Sequence, residues 1–405
     1  METKVFFLTS NYYPPYHVGG ACIHVYHLAN ALAAVGHEVH VIYSLDWYYF
    51  KKGRIEPKEG YSNDKNVFLH PVKSPLRSLT PLAAYTLGSY YPLSGNILRT
   101  IKNTKPDVIH HHNITGFGPF ILEAKADKVI YTAHDYWLVC PTFTLLKYNK
   151  IPCIYPENCS ICSIFSQKPP QVWRYGTDIK KLTKNIDTII SPSEYMRHEL
   201  KRLGISKKIE VIPNFVEIDK LGKQHDFMMP YLLYAGRLEY NKGIIKLIES
   251  FYEVLKKTEY HLVIAGDGSL RNKVKAMAES KKSQERIHYL GEQDQSVLST
   301  LYESASAVII PSIVPENCPL VALESISHGI PIIATRSGGL TEIIETTKAG
   351  VLIENRNAFE LQNDLIRIIN NEDLLEISKK NAMTFNKYYS KENYIKRYSL
   401  LINHD

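Results

Sequence analysis

Twice along this chain a short apolar strand runs through a glycine-bearing loop into a helix, and no other feature restricts the fold as strongly. Near the start, VFFL (Val5 to Leu8) leads to a loop ending in Gly19 and Gly20. A segment whose Val25, Leu28, Ala29 and Leu32 recur at helical spacing follows, then the strand-like GHEVHVIY. Such a β-loop-α-β unit implies a parallel sheet covered by helices, with ligands bound beyond the carboxyl ends of its strands. DVIHHHN, KVIYTAHDY and TIISPSE read as further strands, whereas residues 72–106, rich in Tyr, Leu, Pro and Ser, give no clear period. At YLLYAG the series starts afresh, with a helix carrying Ile244, Leu247, Ile248, Phe251 and Leu255, then HLVIAGDG, IHYLG, AVIIPS and PIIAT. The fold class expected is α/β with two doubly wound domains, the first ending near Asn214. The last thirty residues look helical and are expected to pack back across the first domain.

At 405 residues, 44% hydrophobic and 22% charged, the chain is long enough for two separate cores. No apolar run approaches the ~20 residues of a spanning helix, and METKVFFLTSNYYPP reads as a short strand rather than a signal peptide. A cytoplasmic location is expected. The net charge of +7 favours nucleotides, polyanions or an acidic membrane surface without choosing among them. No nucleic-acid motif accompanies it, and the basic KKIEVIPN tract reads as a solvated face.

The stretch VPENCPLVALESISHG places Glu316 before Pro319 and Glu324 after it. Pro is well suited to the first helical position, so a helix is expected to begin at Pro319, with Leu320, Leu323 and Ser327 on one face and Gly329 as its stop. Glu316 then lies in the loop and Glu324 inside the helix. The free N–H groups of the helix start make residues 316–319 a candidate anion seat. The alternative is that Glu316 only caps the helix and Glu324 is solvated. In AGRLEYNKG, Arg237 and Lys242 share one loop past a strand end, an arrangement that suits a diphosphate, with surface salt bridging as the alternative. Gly266, in GDG, is read as backbone shape alone. His134, followed by Asp135, sits at another strand end, where ligands are expected, with a hydrogen-bonded structural histidine as the alternative. The triple HHH at 110–112 is read as structural, because alternate side chains of a strand face opposite ways.

Four of the six cysteines, Cys140, Cys153, Cys159 and Cys162, fall in one short stretch. Their spacing resembles a small structural zinc knuckle, with free thiols in a loop or a labile redox cluster as the alternatives.

Taken in order, the GG loop, HD after a strand, VIPNFVE, AGRLEYNKG, AGDG and above all PSIVPENCPLVALESISHGIPIIATRSGGLTEII resemble the family 4 retaining glycosyltransferases over nearly the whole chain. The resemblance implies the GT-B fold: two Rossmann-like domains facing a central cleft, an acceptor-side domain at 1–213, a nucleotide-sugar domain at 214–386, and a C-terminal helix, 387–405, returning to the first. It implies transfer of a hexosyl group, with retention, from a UDP- or GDP-sugar to a glycan or lipid-linked acceptor in polysaccharide or cell-envelope synthesis. Glu316 would face the donor sugar and Glu324 would hold the ribose hydroxyls. Asn317, Cys318, Pro319 and Leu320 would offer backbone N–H groups, and Arg237 and Lys242 would neutralise the diphosphate, so that no metal is required for chemistry. His134 would contact donor sugar or acceptor, while Gly19 and Gly20 would let the backbone approach the phosphates. Asn317 and Cys318 stand where many members carry Gly and an aromatic residue. Tyr-rich residues 81–93 are read as core packing, with a sugar acceptor or lipid headgroups as the other readings, and peripheral contact with an acidic membrane is among the expected partners.

Two rival functions use the same scaffold: a sugar-nucleotide epimerase, and a catalytically silent nucleotide-sugar-binding scaffold. A dehydrogenase is disfavoured, since the first strand-to-helix loop lacks Gly-x-Gly-x-x-Gly.

Overall fold

A computed structural model describes residues 3–16, 18–53, 55–57, 60–148, 151–217, 229–354 and 357–403. The chain divides into two compact units, 1–213 together with 395–405, and 214–394.

The first unit contains strands β1 (Val5–Thr9), β2 (Glu38–Ser44), β3 (Val67–Val72), β4 (Val108–His111), β5 (Lys128–Thr132), β6 (Leu146–Lys147), β7 (Ile151–Pro152), β8 (Thr188–Ser191) and β9 (Lys208–Val211). Its helices are α1 (Gly20–Ala34), α2 (Leu45–Lys52), α3 (Leu79–Leu87), α4 (Ser94–Asn103), α5 (Cys159–Phe165), α6 (Ile179–Leu182) and α7 (Glu194–Arg202). Seven strands form one parallel sheet in the order β3-β2-β1-β4-β5-β8-β9, while β6 and β7 pair as a separate small hairpin. The four residues expected to face inward from α1 are all buried.

The second unit has strands β10 (Tyr231–Ala235), β11 (His261–Ala265), β12 (Ile287–Gly291), β13 (Ala307–Ile310), β14 (Ile332–Thr335) and β15 (Gly350–Ile353). Helices α8 (Ile244–Val254), α9 (Arg271–Ala278), α10 (Gln295–Ser304), α11 (Leu320–Ser327), α12 (Gly339–Thr347), α13 (Ala358–Ile369) and α14 (Glu372–Phe385) surround them, and α15 (Lys391–Asn403) closes the chain. The six strands are parallel, ordered β12-β11-β10-β13-β14-β15. Along β10, Tyr231, Leu233 and Ala235 enter one core cluster and Leu232 and Tyr234 the other. A period of two with both sets buried is the mark of a parallel sheet covered on each face. In each unit the strand order reverses once, between β1 and β4 and between β10 and β13, and the crevice at such a switch point is where open α/β sheets hold ligands.

The tail enters the first unit at Ile395. There the Tyr398 hydroxyl lies 2.9 Å from His110 Nδ1 and Arg397 donates to the Val211 carbonyl at 2.6 Å. Among the described residues no helix is long and apolar enough to cross a membrane.

Candidate active site

The second unit's switch point collects the loops after β10 and β13. Past β10, a single 3-10 turn, Tyr240–Lys242, ends at Gly243, which caps α8 with φ of 73°. A Cβ on Gly243 would stand 1.9 Å from the Pro311 carbonyl oxygen, so only glycine lets this loop press against the end of β13. Ile313 N–H donates to the Asn241 carbonyl at 2.9 Å across the same contact. The result is that Lys242 reaches Glu316: Nζ lies 2.6 Å from Oε1, with side chains 23% and 11% exposed. The Ser312 hydroxyl donates to the same carboxylate oxygen. Burial would push the Glu316 carboxyl up, but the Lys242 charge, the hydrogen bonds from Lys242 and Ser312, and the Arg237 charge outweigh it and hold the group below the usual carboxylate range.

The loop carrying Glu316 is pinned from its other side. Thr335 Oγ1 donates to the Ser312 carbonyl at 2.6 Å, and Gly339 N–H donates to the Glu316 carbonyl at 2.7 Å. Gly338 has φ of 56°, and a Cβ there would meet the Glu316 carbonyl oxygen at 2.5 Å. Glu316 does not cap α11, which has no side-chain cap and no acidic residue in its first turn. Pro319 is the N-cap residue, in extended conformation, and α11 starts at Leu320, one residue later than expected. Its buried face is Ala322, Leu323, Ser325 and Ile326, so of the three residues expected on one face only Leu323 is buried. Glu324, half-buried, accepts a 2.6 Å hydrogen bond from the Tyr302 hydroxyl.

Asn317 and Pro319 are half-buried and Cys318 is buried; its carbonyl accepts from Asn214 Nδ2 at 3.3 Å, and burial pushes its thiol up to about 12. Arg237 is exposed beside this loop. Gly266 has a structural reason to be glycine, since a Cβ would lie 1.8 Å from the Gly236 carbonyl oxygen. Thus Arg237, Lys242, Gly266, Glu316 to Leu320 and Glu324 belong to the second unit. His134, Gly19 and Gly20 belong to the first.

In that unit Gly19 caps α1 with φ of 81°, and Gly20 is the first helical residue. His134 follows β5, half-buried, and its Nε2 lies 3.0 Å from His112 Nδ1. Burial pushes His134 down to about 4. The rings of His110 and His112 lie 3.9 Å apart, whereas His111 points elsewhere, to Thr9 Oγ1 at 2.9 Å. Asp135, which carried no role in the sequence reading, is raised to about 6 by burial, against a hydrogen bond from Trp137 N–H and the charges of Lys168 and Arg174.

The four neighbouring cysteines are free thiols. Cys140 Sγ lies 3.2 Å from Thr142 Oγ1, Cys153 Sγ donates to the Tyr155 carbonyl at 3.4 Å, and Cys162 Sγ accepts from Tyr148 N–H at 3.4 Å. Cys159 opens α5. Among the described residues no three Cys, His, Asp or Glu side chains are grouped as a metal's ligands would be, so the zinc reading rests on spacing alone.

Comparison with known proteins decides the family. Residues 18–220 match the model of Glycosyltransferase Family 4, and residues 217–385 match that of Glycosyl transferases group 1. The chain belongs to the family 4 glycosyltransferases. It is 27% identical to the alpha-monoglucosyldiacylglycerol synthase of Acholeplasma laidlawii over 396 residues, 94% of this chain and 92% of that one. Its backbone is similar to sucrose-phosphate synthase from Thermosynechococcus elongatus, with a TM-score of 0.75, 18% identity and 98% of both chains covered. It is also similar to Anabaena HepE in complex with UDP, with a TM-score of 0.68, 15% identity and 99% of both chains covered. The architecture is GT-B, and as a family 4 glycosyltransferase the protein acts in glycan or glycolipid synthesis.

Proposed function

We propose that the protein is a retaining hexosyltransferase that uses a UDP- or GDP-sugar and delivers the sugar to a glycan or lipid-linked acceptor of the cell envelope. The observation that carries this reading is the Lys242–Glu316 pair at the switch point, with Arg237 beside it. Glu316 is ionised and engaged through Oε1, which favours a role in accepting hydrogen bonds from sugar hydroxyls over nucleophilic attack on the anomeric carbon. Lys242 and Arg237 supply the positive charge that a departing diphosphate needs, Lys242 from a half-buried setting where charge acts more strongly than in water. Glu324 would accept from the ribose hydroxyls.

In the transfer, the bond from the anomeric carbon to the phosphate oxygen breaks and the acceptor oxygen bonds to that carbon on the same face. The acceptor's proton passes to the departing phosphate oxygen. No metal takes part in these steps. The Acholeplasma relative, named for a glycolipid product, and HepE, crystallised with UDP, support the acceptor and donor classes.

The test is to incubate the purified protein with UDP- and GDP-hexoses and candidate acceptors and read the product's anomeric configuration by NMR. A product with the donor's configuration and no sugar covalently held on the protein is expected. Inversion, or a glycosyl-carboxylate adduct recovered by mass spectrometry, would overturn the mechanism, and conversion of the donor without acceptor would favour an epimerase.

A further inference from the structure

The first unit's sheet reverses between β1 and β4, and its register brings the ends of β1, β4 and β5 level: Thr9 pairs with His111, and His111 with Tyr131. Just past those ends stand Asn11, Asn113 and Asp135. They form one chain of hydrogen bonds with a fixed direction. Gly116 N–H donates to Asn11 Oδ1 at 2.6 Å, so the Asn11 amide nitrogen faces the other way and donates to Asn113 Oδ1. Thr115 Oγ1 donates to the same Asn113 oxygen at 3.2 Å. The Asn113 amide nitrogen is thereby turned toward Asp135 Oδ2. A side chain at position 116 would disturb this order, since its Cβ would stand 2.9 Å from Asn11 Oδ1.

The donors of this chain point toward Asp135, which ends it as an acceptor, yet its two oxygens are unequally used. Oδ1 accepts from Trp137 N–H at 2.8 Å, closing a turn that asparagine would close as well. Among the described residues, Oδ2 meets only Asn113 Nδ2, at 3.5 Å, the outer limit of a hydrogen bond. The cations whose charge acts on Asp135 are engaged elsewhere: Lys168 Nζ donates to the Thr142 carbonyl at 2.7 Å, and Arg174 to the carbonyls of Trp137 and Leu138. A half-buried carboxylate without an ion pair is costlier than the amide that would serve the turn equally, so the turn alone does not account for it. Of the groups that the proposed substrates carry, the diphosphate is repelled by this charge and an acyl chain would leave Oδ2 without a donor. A hydroxyl satisfies it.

We propose that Asp135 Oδ2, held in place by Asn11 and Asn113, accepts a hydrogen bond from a hydroxyl of the sugar acceptor in the crevice at the first unit's switch point. The site is polar, half-buried and at the strand ends where open α/β sheets take ligands. The proposal rests on the transfer proposed above and makes Asp135 a residue that selects the acceptor rather than the donor.

Octyl glucoside, octyl galactoside and octyl N-acetylglucosaminide are titrated into the full chain without donor and followed by calorimetry. Binding of at least one is expected, strengthening as pH rises through about 6, where burial places the Asp135 carboxyl. The titratable groups around it are His134, pushed down to about 4 and so neutral in that range, Tyr131, pushed well above the usual phenol range, and the cations Lys168 and Arg174. Asp135→Asn keeps the turn but replaces an acceptor with a donor, and Asp135→Ser keeps a turn acceptor but lacks the second oxygen. Each weakens glycoside binding by roughly tenfold or more, as expected for a lost hydrogen bond to a charged group, and flattens the pH dependence. Melting temperature and affinity for UDP do not fall, which reports that each variant is folded. In the transfer reaction the KM for acceptor rises and that for donor holds. No binding of any of the three glycosides by the wild type, or undiminished binding by both variants, would overturn the proposal. So would a rise in donor KM alone, which would assign Oδ2 to a hydroxyl of the donor sugar. Asp135-dependent glycoside binding in a protein that transfers no sugar would support the contact and count against the transfer proposed above.

Discussion

The Tyr302 hydroxyl, on α10, donates a 2.6 Å hydrogen bond to Glu324 Oε2 on α11. Tyr302 is fully buried and its ring stacks on His328 at 5.3 Å, so the donor is fixed in place and fixes the carboxylate. If Glu324 holds the ribose, its orientation is part of nucleotide affinity. Tyr302→Phe keeps the packing and removes one hydrogen bond to a charged group, a loss of about 1.5–3 kcal/mol at most. The expected outcome is nucleoside-diphosphate binding weakened by roughly tenfold in calorimetry, with kcat little changed.

The Lys242–Glu316 pair separates binding from turnover. Lys242→Ala removes a cation proposed to meet the diphosphate and leaves a largely buried carboxylate without its partner, a change that costs about 3 kcal/mol of stability where pairs are buried. Weaker binding of UDP or GDP and a lower melting temperature are both expected. Glu316→Ala mainly lowers turnover, by roughly a hundredfold if the carboxylate acts on the sugar in the transition state, while Glu324→Ala mainly weakens the nucleotide. Similar negligible effects of both glutamates, measured by calorimetry and steady-state kinetics, would remove the pair from the site. Because the folded Glu316 sits below its unfolded pKa, its ion pair contributes fully above about pH 4.5 and its contribution fades as pH falls further.

How much of this was legible in the sequence depended on how local the cause was. The buried strands β1, β10, β11 and β13 are apolar runs bounded by turn residues, and they were readable at once. Of the strands in the two large sheets, those missed were β3, β9 and β15, each at the edge of its sheet. There one side is open to solvent, so charged or mixed residues such as KIEV and VFLHPV are tolerated and the alternation blurs. Glu316, Glu324, Arg237 and Lys242 could be named because they lie in short, patterned stretches. That Lys242 pairs with Glu316 could not, because it depends on Gly243 meeting Pro311 across sixty-odd residues of chain. Tyr302 gave no signal, being one more aromatic residue in an ordinary helix.

Stability should fall steeply on mild acidification. His111 is fully buried and pushed down to about 3, and burial also lowers His24, His110 and His112 well below the ordinary range. The unfolded chain binds protons at these sites near pH 6.5 while the folded chain does not. Stability from this source is therefore complete above pH ~6.5 and lost as pH falls, by up to about 1.4 kcal/mol per pH unit for each such histidine. Urea midpoints measured at pH 7, 6 and 5 should drop progressively. His111→Asn should flatten that slope, and a flat profile in the wild type would contradict the assignment.

The contact between His112 Nδ1 and His134 Nε2, 3.0 Å long, fixes which nitrogen carries each proton. His112 Nε2 is buried with no hydrogen-bond partner among the described residues, so a proton there would be left unsatisfied. The stable arrangement has His112 donating from Nδ1 to His134 Nε2, with the proton of His134 on its own Nδ1. His112 thereby acts as a positioning residue for the residue expected to meet donor sugar or acceptor. An asparagine side chain places an N–H close to where Nδ1 stands, whereas leucine has none. His112→Leu is therefore expected to lower kcat by about tenfold, and His112→Asn to recover most of it. Nucleotide affinity, which the proposed site assigns to the second unit, should be the same in both. A purely structural role would instead lower the melting temperature of both variants together and leave their kcat values alike.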